Sequence, residues 1–326
     1  MKKTRVAVLY GGRSGEHEVS LRSGRAVADA LNQAGYDVTT ILITKEGKWE
    51  PAPILPVPGA NPDIDVVFPV LHGTFGEDGT LQGLLEMAGL PYVGPGVLAS
   101  SVSMDKEFMK HICEAHGLPV TEYLVQSAAA LDTEAVLSTF ELPVFVKPAN
   151  LGSSVGVSKA RTREELDRAL RDAAQYDRKV IIERAIVGQE LECAVLGNEH
   201  PQASTPCEII PSREFYDYED KYVLDRARIE LPARLTAAQT AEVRRLAVAC
   251  FQATGCEGMA RVDFLLEKAT GRIYINEINT IPGFTSISMY PKMWAHCGIS
   301  FPELVRRLVD LALERDSARR RIRYER

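Results

Sequence analysis

The chain reads as an α/β protein that opens on a doubly wound layer, and three features near its start say so. Residues 5–10 form a short apolar run ending on Gly11-Gly12, as a buried strand does when it turns sharply into a helix. Val27, Ala30, Leu31 and Ala34 then recur at helical spacing up to Gly35, which supplies the stop. Residues 37–44 and 65–71 return to strand-type runs, separated by a proline-rich connection from Pro51 to Pro62. Strand, helix, strand, loop and strand is the opening of a parallel layer.

A second region begins near Ser103, where Met104, Phe108 and Ile112 recur at helical spacing before Gly117 and Pro119. Residues 142–147 are strand-like and run into a loop over 150–156. Thr162 and Glu165 have capping-box spacing ahead of Leu166, Ala169, Leu170 and Ala173, and 179–184 and 191–196 read as further strands. In the third region Thr236-x-x-Gln239 opens a long helix with Val243, Leu246, Ala247, Cys250 and Phe251 on one side and Gly255 at its end. Two strand-like runs follow, 261–266 and 272–278. The last helix starts at Ser300-x-x-Glu303, with Leu304, Leu308 and Leu311 inward.

With 326 residues, 45% hydrophobic and 25% charged, the composition is that of a soluble globular protein with room for two or three domains. A net charge of −6 argues against a nucleic-acid groove, and no run approaches a membrane span. The apolar run at the N-terminus is too short for a secretion signal, and the six cysteines form no C-x-x-C pair. A reducing, cytoplasmic setting is expected, with neither nucleic acid nor membrane as partner.

The richest chemistry lies in the paired strands of the third region. Glu277 and Asn279, two apart, share a face, and a hairpin across residues 267–271 would bring Asp263 beside them. Three hard oxygen ligands suit Mg²⁺; two edge strands with polar outer faces fit the same residues. Lys147 ends a strand just before Gly152-Ser153-Ser154-Val155-Gly156, whose backbone N–H groups could wrap phosphate, although such a loop can also be an ordinary turn. Lys106 is a second cation of the same kind. Glu183 and the backbone after it, with Ile186 as an apolar wall and Glu190 for ribose hydroxyls, could read an adenosine; a strand followed by a turn accounts for them too. The acid-rich turn Gly11–Glu18 suits a cationic ligand such as an amino group. The loop from His72 to Gly79 looks shaped for binding, residues 215–222 form an aromatic-acidic loop of the kind that closes over sites, and backbone N–H groups over 280–289 could hold a carboxylate or oxyanion.

Taken in order, Gly11-Gly12-x-Ser14-x-Glu16-x-Glu18-Val19-Ser20, His72-Gly73-x-x-Gly76-Glu77-Asp78-Gly79, Lys147-Pro148 with Gly152-Ser153-Ser154-x-Gly156, and Asn276-Glu277-x-Asn279-Thr280-x-Pro282-Gly283 resemble the D-alanine–D-alanine ligase family of the ATP-grasp superfamily, over nearly the whole chain. The resemblance implies a three-domain ATP-grasp architecture: 1–100 for substrate, 101–183 with the phosphate loop, and 184–326 with metal and substrate sites. It implies ATP-dependent joining of two D-alanines through a D-alanyl phosphate, for peptidoglycan precursors, by a cytoplasmic homodimer.

Residue by residue, the resemblance implies that Asp263, Glu277 and Asn279 bind two Mg²⁺ (or Mn²⁺). Lys106, Lys147 and Lys221 would hold phosphates, with Ser153, Ser154 and Asn276 also on the nucleotide and Glu183, Arg184, Ile186 and Glu190 on the adenosine. The family usually has lysine where Arg184 stands. Glu16, Ser153 and Tyr222 match its hydrogen-bonded triad, and Glu16 would also take the first ammonium. His72 would contact the first substrate, Arg261 and the backbone of Gly283 the oxyanion, and Ser288 and Met289 the second carboxylate. The Tyr-Asp-Tyr-x-x-Lys-Tyr pattern ending at Tyr222 implies D-alanine as second substrate. Another ATP-grasp ligase or a non-catalytic nucleotide binder are the alternatives. Arg261 beside a complete metal set argues against the binder, and the glycine order after the first strand disfavours a Rossmann dehydrogenase.

Overall fold

The computed structural model describes residues 3–210 and 228–323. β1 (Arg5–Gly11) is almost wholly buried, as a strand between parallel neighbours must be. It pairs in parallel with β2 (Asp37–Ile43) and β4 (Val66–Pro69), and the short β3 (Trp49–Glu50) adds antiparallel to β2, giving the order β3-β2-β1-β4. α1 (His17–Gln33) covers one face with Val27 and Leu31; α2 (Thr80–Ala88) covers the other with Leu81 and Leu85. Gly35, at φ +91°, leaves α1 in the left-handed conformation that favours glycine.

The second sheet is antiparallel, in the order β5 (Tyr123–Ser127), β8 (Lys179–Arg184), β6 (Val144–Pro148), β7 (Ser158–Ala160). α5 (Thr133–Thr139) and α6 (Arg163–Ala173) bury Val144, Val146, Val180 and Ile182 on one face. Alternation therefore sends Lys147 and Glu183 to the opposite face. At the head of α6 Thr162 accepts the Glu165 N–H, while the Glu165 carboxylate takes the N–H of Arg161.

The third sheet centres on β9 (Gly188–Gly197), flanked by β13 (Gly258–Glu267) and β14 (Ile273–Asn279) on one side and by β11 (Cys207–Ile210) and β12 (Arg228–Glu230) on the other, with β10 (Gln202–Ala203) at its end. α7 (Ala237–Ala253), opened by a complete Thr236–Gln239 capping box, packs Val243, Leu246 and Phe251 against Val195, Val262 and Phe264. On the opposite face α8 (Met289–His296) and α9 (Phe301–Arg319) cover Ala194, Leu196 and Met259 and join Val6 and Phe68 of the first sheet in one core. Glu190, Glu192, Arg261 and Asp263 lie beyond that cover, so this end of the sheet carries charge. Among the described residues no helix is long and apolar enough to cross a membrane.

One expectation is corrected. The spacing Met104–Phe108–Ile112 spans a break: α3 (Val97–Met104) stops at Asp105, whose side chain caps α4 (Lys106–Ala115) by accepting from Glu107 and Phe108. Phe108 is exposed, and the buried face of α4 is Lys106, Met109, Lys110 and Cys113, because both lysine heads find partners inside. Ala99, Met109, Cys113 and Leu118 share the core of α7, while Lys110 and Glu107 of α4 pair with Glu183 and Lys179 of the second sheet, so α4 lies between the two sheets.

Candidate active site

The hairpin of β13 and β14 sets Asp263 opposite Glu277 and Arg261 opposite Asn279. Val262, Phe264 and Ile278 point into the α7 core, which leaves those four polar side chains on the other face. The register shifts between Asp263 and Phe264, so Asn276 is an extra residue in β14; such a bulge re-aims a side chain. The Arg261 guanidinium grips the Asp263 carboxylate through two bonds of 2.7 Å and lies 3.3 Å from Glu192 of β9. Burial opposes its charge, but Asp263 and Glu192 outweigh that and keep it protonated. Asn279 Nδ2 donates to Asp263 Oδ2 at 3.0 Å.

Facing this surface is the polar side of the second sheet. Lys147 Nζ pairs with Glu183 Oε2 at 2.7 Å and donates to Asn276 Oδ1 at 3.4 Å, across to the third sheet. Lys106 Nζ, at the head of α4, donates to the Leu151 carbonyl at 2.6 Å and lies 3.8 Å from Glu277 Oε2, which ties the 150–156 loop to the third sheet. Behind Glu183 stands Lys110, 3.1 Å from Oε1. Burial alone would raise the Glu183 carboxyl, yet the two ammonium groups hold it down at about 2. Arg184 turns its guanidinium to Glu122 (2.5 Å), Glu267 (2.8 Å) and Tyr274 (3.2 Å), so what it presents near an adenosine is its backbone. Ile186 is half-buried, and Glu190 shares a face of β9 with Glu192.

The first domain reaches the same place through its loops. Glu16, just before α1, accepts a hydrogen bond from Ser153 Oγ of the Gly/Ser-rich 150–156 loop. A Cβ on Gly73 would lie 2.8 Å from Glu16 Oε2 and one on Gly152 3.3 Å away, so glycines let both loops close on this carboxylate. Ser153 and Ser154 are held at φ +52° and +58°, left-handed conformations that serine rarely adopts and that cluster at functional loops. His72 is buried, its Nδ1 bonded with the Ile281 carbonyl at 3.0 Å and Nε2 with Ser23 Oγ at 3.2 Å. Both ring nitrogens are used, which limits the expected contact with a first substrate to the ring carbons; the residue fastens the first domain to the 280–288 loop. Burial also holds its pKa below the ordinary value.

Glu77 makes a parallel link, accepting from the N–H groups of Gly73 (2.8 Å) and Ile281 (3.0 Å), and burial with the nearby Glu16 charge pushes its carboxyl up to about 8. At the far end, a Cβ on Gly283 would meet Ser288 Oγ at 2.6 Å. Ser288 accepts from Thr285 N at 3.0 Å and precedes α8, whose first residue is Met289, so unpaired helix N–H groups open here. Lys221 and Tyr222 lie outside the described residues, as does the rest of the aromatic loop.

Residues 87–310 match the family model described as D-ala D-ala ligase C-terminus, and residues 5–56 and 55–95 match the D-ala D-ala ligase N-terminus. The chain belongs to the D-alanine–D-alanine ligase family. A D-alanine–D-alanine ligase of Solibacter usitatus is 60% identical over 99% of this chain and 100% of that protein. One from Acetivibrio thermocellus is 48% identical over 96% of each. Among solved structures, the D-alanine–D-alanine ligase of Coxiella burnetii has a TM-score of 0.87 at 36% identity, covering 98% of this chain and 97% of that one. The VanG D-Ala:D-Ser ligase of Enterococcus faecalis has a TM-score of 0.86 at 35% identity, covering 95% and 100%. The mixed α/β architecture is thus the ATP-grasp fold of the D-alanine–D-alanine ligase family.

Within this family fold, two residues that sequence reasoning leaves out stand beside the ones it names. Lys110 follows Lys106 by one helical turn, a spacing that puts both on one face. Glu192 follows Glu190 by two on a strand, which places it across from Asp263. Both signals are present in the sequence, but they become informative only once the buried faces are known.

Proposed function

We propose that this chain joins two D-alanines into D-alanyl-D-alanine with ATP, giving ADP and phosphate, as a step in peptidoglycan precursor synthesis. The observation that carries the reading is a pair of contacts to β14, Lys106 of α4 to Glu277 at 3.8 Å and Lys147 of β6 to Asn276 at 3.4 Å, which set phosphate-type lysines against a hard-oxygen surface. Asp263, Glu277 and Asn279 offer two carboxylates and an amide, a set suited to two Mg²⁺ (or Mn²⁺) that share ligands with nucleotide phosphates. When bound, the ions neutralise charge on the transferring phosphoryl group.

The protein's own residues divide the remaining work. Lys106, Lys147 and Lys221, with Ser153, Ser154 and Asn276, hold the phosphates. Glu183, kept ionised by Lys110 and Lys147, is an acceptor suited to an adenine amino group. Arg184 and Ile186 complete that wall and Glu190 takes ribose hydroxyls. Glu16 binds the ammonium of the first D-alanine, with His72 alongside, and that substrate's carboxylate oxygen attacks the γ-phosphorus and displaces ADP. The second D-alanine, its carboxylate on Ser288 and the N-terminus of α8 at Met289, attacks the acyl carbon with its unprotonated amine. Arg261 and the Gly283 N–H face the oxyanion, phosphate leaves, and the carbonyl reforms. Tyr222, with Ser153 and Glu16, closes the site against water. The tyrosine pattern ending at Tyr222 supports D-alanine over D-lactate as acceptor.

In this reading residues 1–100 chiefly supply the first substrate's site, 101–183 the phosphate loop, and 184–326 the metal and acceptor sites. The enzyme works in the cytoplasm, where ATP is available and its thiols stay reduced, as a homodimer; exposed Met87, Val97 and Leu98 on α2 and α3 suit such a contact. The test is phosphate release from MgATP with D-alanine, D-serine, D-lactate or no amino acid, with products identified by mass. Release with D-alanine, matched by the dipeptide, supports the proposal; turnover only with a mixed acceptor would replace it.

A further inference from the structure

Lys110 plays no part in the reaction above, yet its side chain is wholly buried. An interior ammonium is costly unless it is paired and hydrogen-bonded, and this one is both. Its Nζ donates to Thr121 Oγ1 at 2.8 Å, lies 3.5 Å from the Thr121 carbonyl and 5.3 Å from the centre of the Tyr123 ring, and is 3.1 Å from Glu183 Oε1. The other oxygen of Glu183 takes Lys147 at 2.7 Å. Three elements, α4, β6 and β8, thus bring two ammonium groups to one carboxylate, a buried trio with one positive charge in excess.

The surroundings decide where that excess is felt. Lys110 is closed in by Thr121 and Tyr123. Lys147 ends β6 beside Asn276 and the phosphate loop, on the side where a nucleotide would lie. With Lys110 removed, Glu183 and Lys147 would become a one-to-one pair, neutral at the place where phosphates arrive.

We infer that Lys110 is a positioning residue for the nucleotide: it balances Glu183 from behind, so that Lys147 keeps its positive charge for the phosphates. The inference rests on the ATP reading proposed above. Nothing in the sequence alone marks Lys110 for this role, since it touches no proposed substrate group and acts only through Glu183.

The test is calorimetric binding of MgATP to the full chain without D-alanine, for wild type, Lys110→Gln, Glu183→Gln and the double variant. Lys110→Gln keeps a donor for Thr121 and loses only the charge. It is expected to weaken MgATP about tenfold, the factor that about 1.4 kcal/mol of lost attraction produces. In the Glu183→Gln background the same change should cost less than about threefold, because no carboxylate remains to neutralise Lys147. An equal loss in both backgrounds would mean that Lys110 acts by packing, and would overturn the inference. Lys110→Arg keeps the charge and carries the test if Lys110→Gln does not fold: affinity within about threefold of wild type supports the inference, and a tenfold loss overturns it. A wild-type chain that binds no MgATP would instead refute the nucleotide reading itself.

Discussion

The two sheet faces that meet at the site are charged by opposite means. Against the second sheet, Lys110 of α4 and Lys147 of β6 outnumber Glu183 of β8, and all three are nearly inaccessible. On the third, Glu192, Asp263 and Glu277 outnumber Arg261, and Glu277 keeps a quarter of its side chain exposed. One group is thus richer in ammonium and the other in carboxylate, the first suited to anions and the second to cations. The buried lysines are fixed before any ligand arrives, whereas the carboxylates stand where ions can reach them. The difference suits the proposed roles, in which the lysines would hold phosphates and the carboxylates metal ions; among the described residues Lys147–Asn276 and Lys106–Glu277 link the two groups.

The strongest way to break this division is Asp263→Asn, which should lower kcat by about a thousandfold, a loss that added Mg²⁺ partly restores. Lys147→Met should instead raise the KM for ATP, with no such rescue; equal rescue of both by Mg²⁺ would contradict the separation. Arg261→Lys keeps a charge beside Asp263 and Glu192 but loses the two-pronged grip, and a fall of about a hundredfold in kcat, with nucleotide affinity little changed, is expected.

Between the two faces, Glu77 offers a pH test. Its folded-state pKa, near 8, lies above the ordinary value, so its contribution to stability is fully present in acid and is lost as pH rises from about 4.5 through 8. Thermal unfolding at pH 6 and pH 9.5 should show wild type losing on the order of a few kcal/mol more than Glu77→Gln, which mimics the protonated acid. A parallel decline would refute that assignment. The smallest effect expected is from Arg184→Lys: its partners Glu122 and Glu267 lie at the margin of the site, so stability should change by less than about 1 kcal/mol and ATP affinity hardly at all.

Much of the third sheet's face was legible in the sequence, because a period of two fixes which side chains share a strand face. Asp263, Glu277 and Asn279 followed from that alone, given the hairpin. The loops at Gly73 and Gly152 were legible as binding loops from their composition, but the close approach of both to Glu16 shows only in the fold. The buried lysine behind Glu183 was not legible. A stripe of Met104, Phe108 and Ile112 outweighs two lysines in any count of apolar residues, yet the helix breaks at Asp105 and buries Lys106 and Lys110 instead. Only the approach of β8, which brings Glu183 to α4, makes an interior lysine tolerable. The fastening role of His72 was hidden likewise, since its partners Ser23 and Ile281 come from distant parts of the chain.

The central claim, that a carboxylate is activated as an acyl phosphate between these two faces, is tested most directly with D-alanine carrying ¹⁸O in its carboxylate. Attack on the γ-phosphorus and later loss of phosphate should leave one ¹⁸O atom in inorganic phosphate for each dipeptide formed. Phosphate without label, alongside dipeptide, would contradict the account.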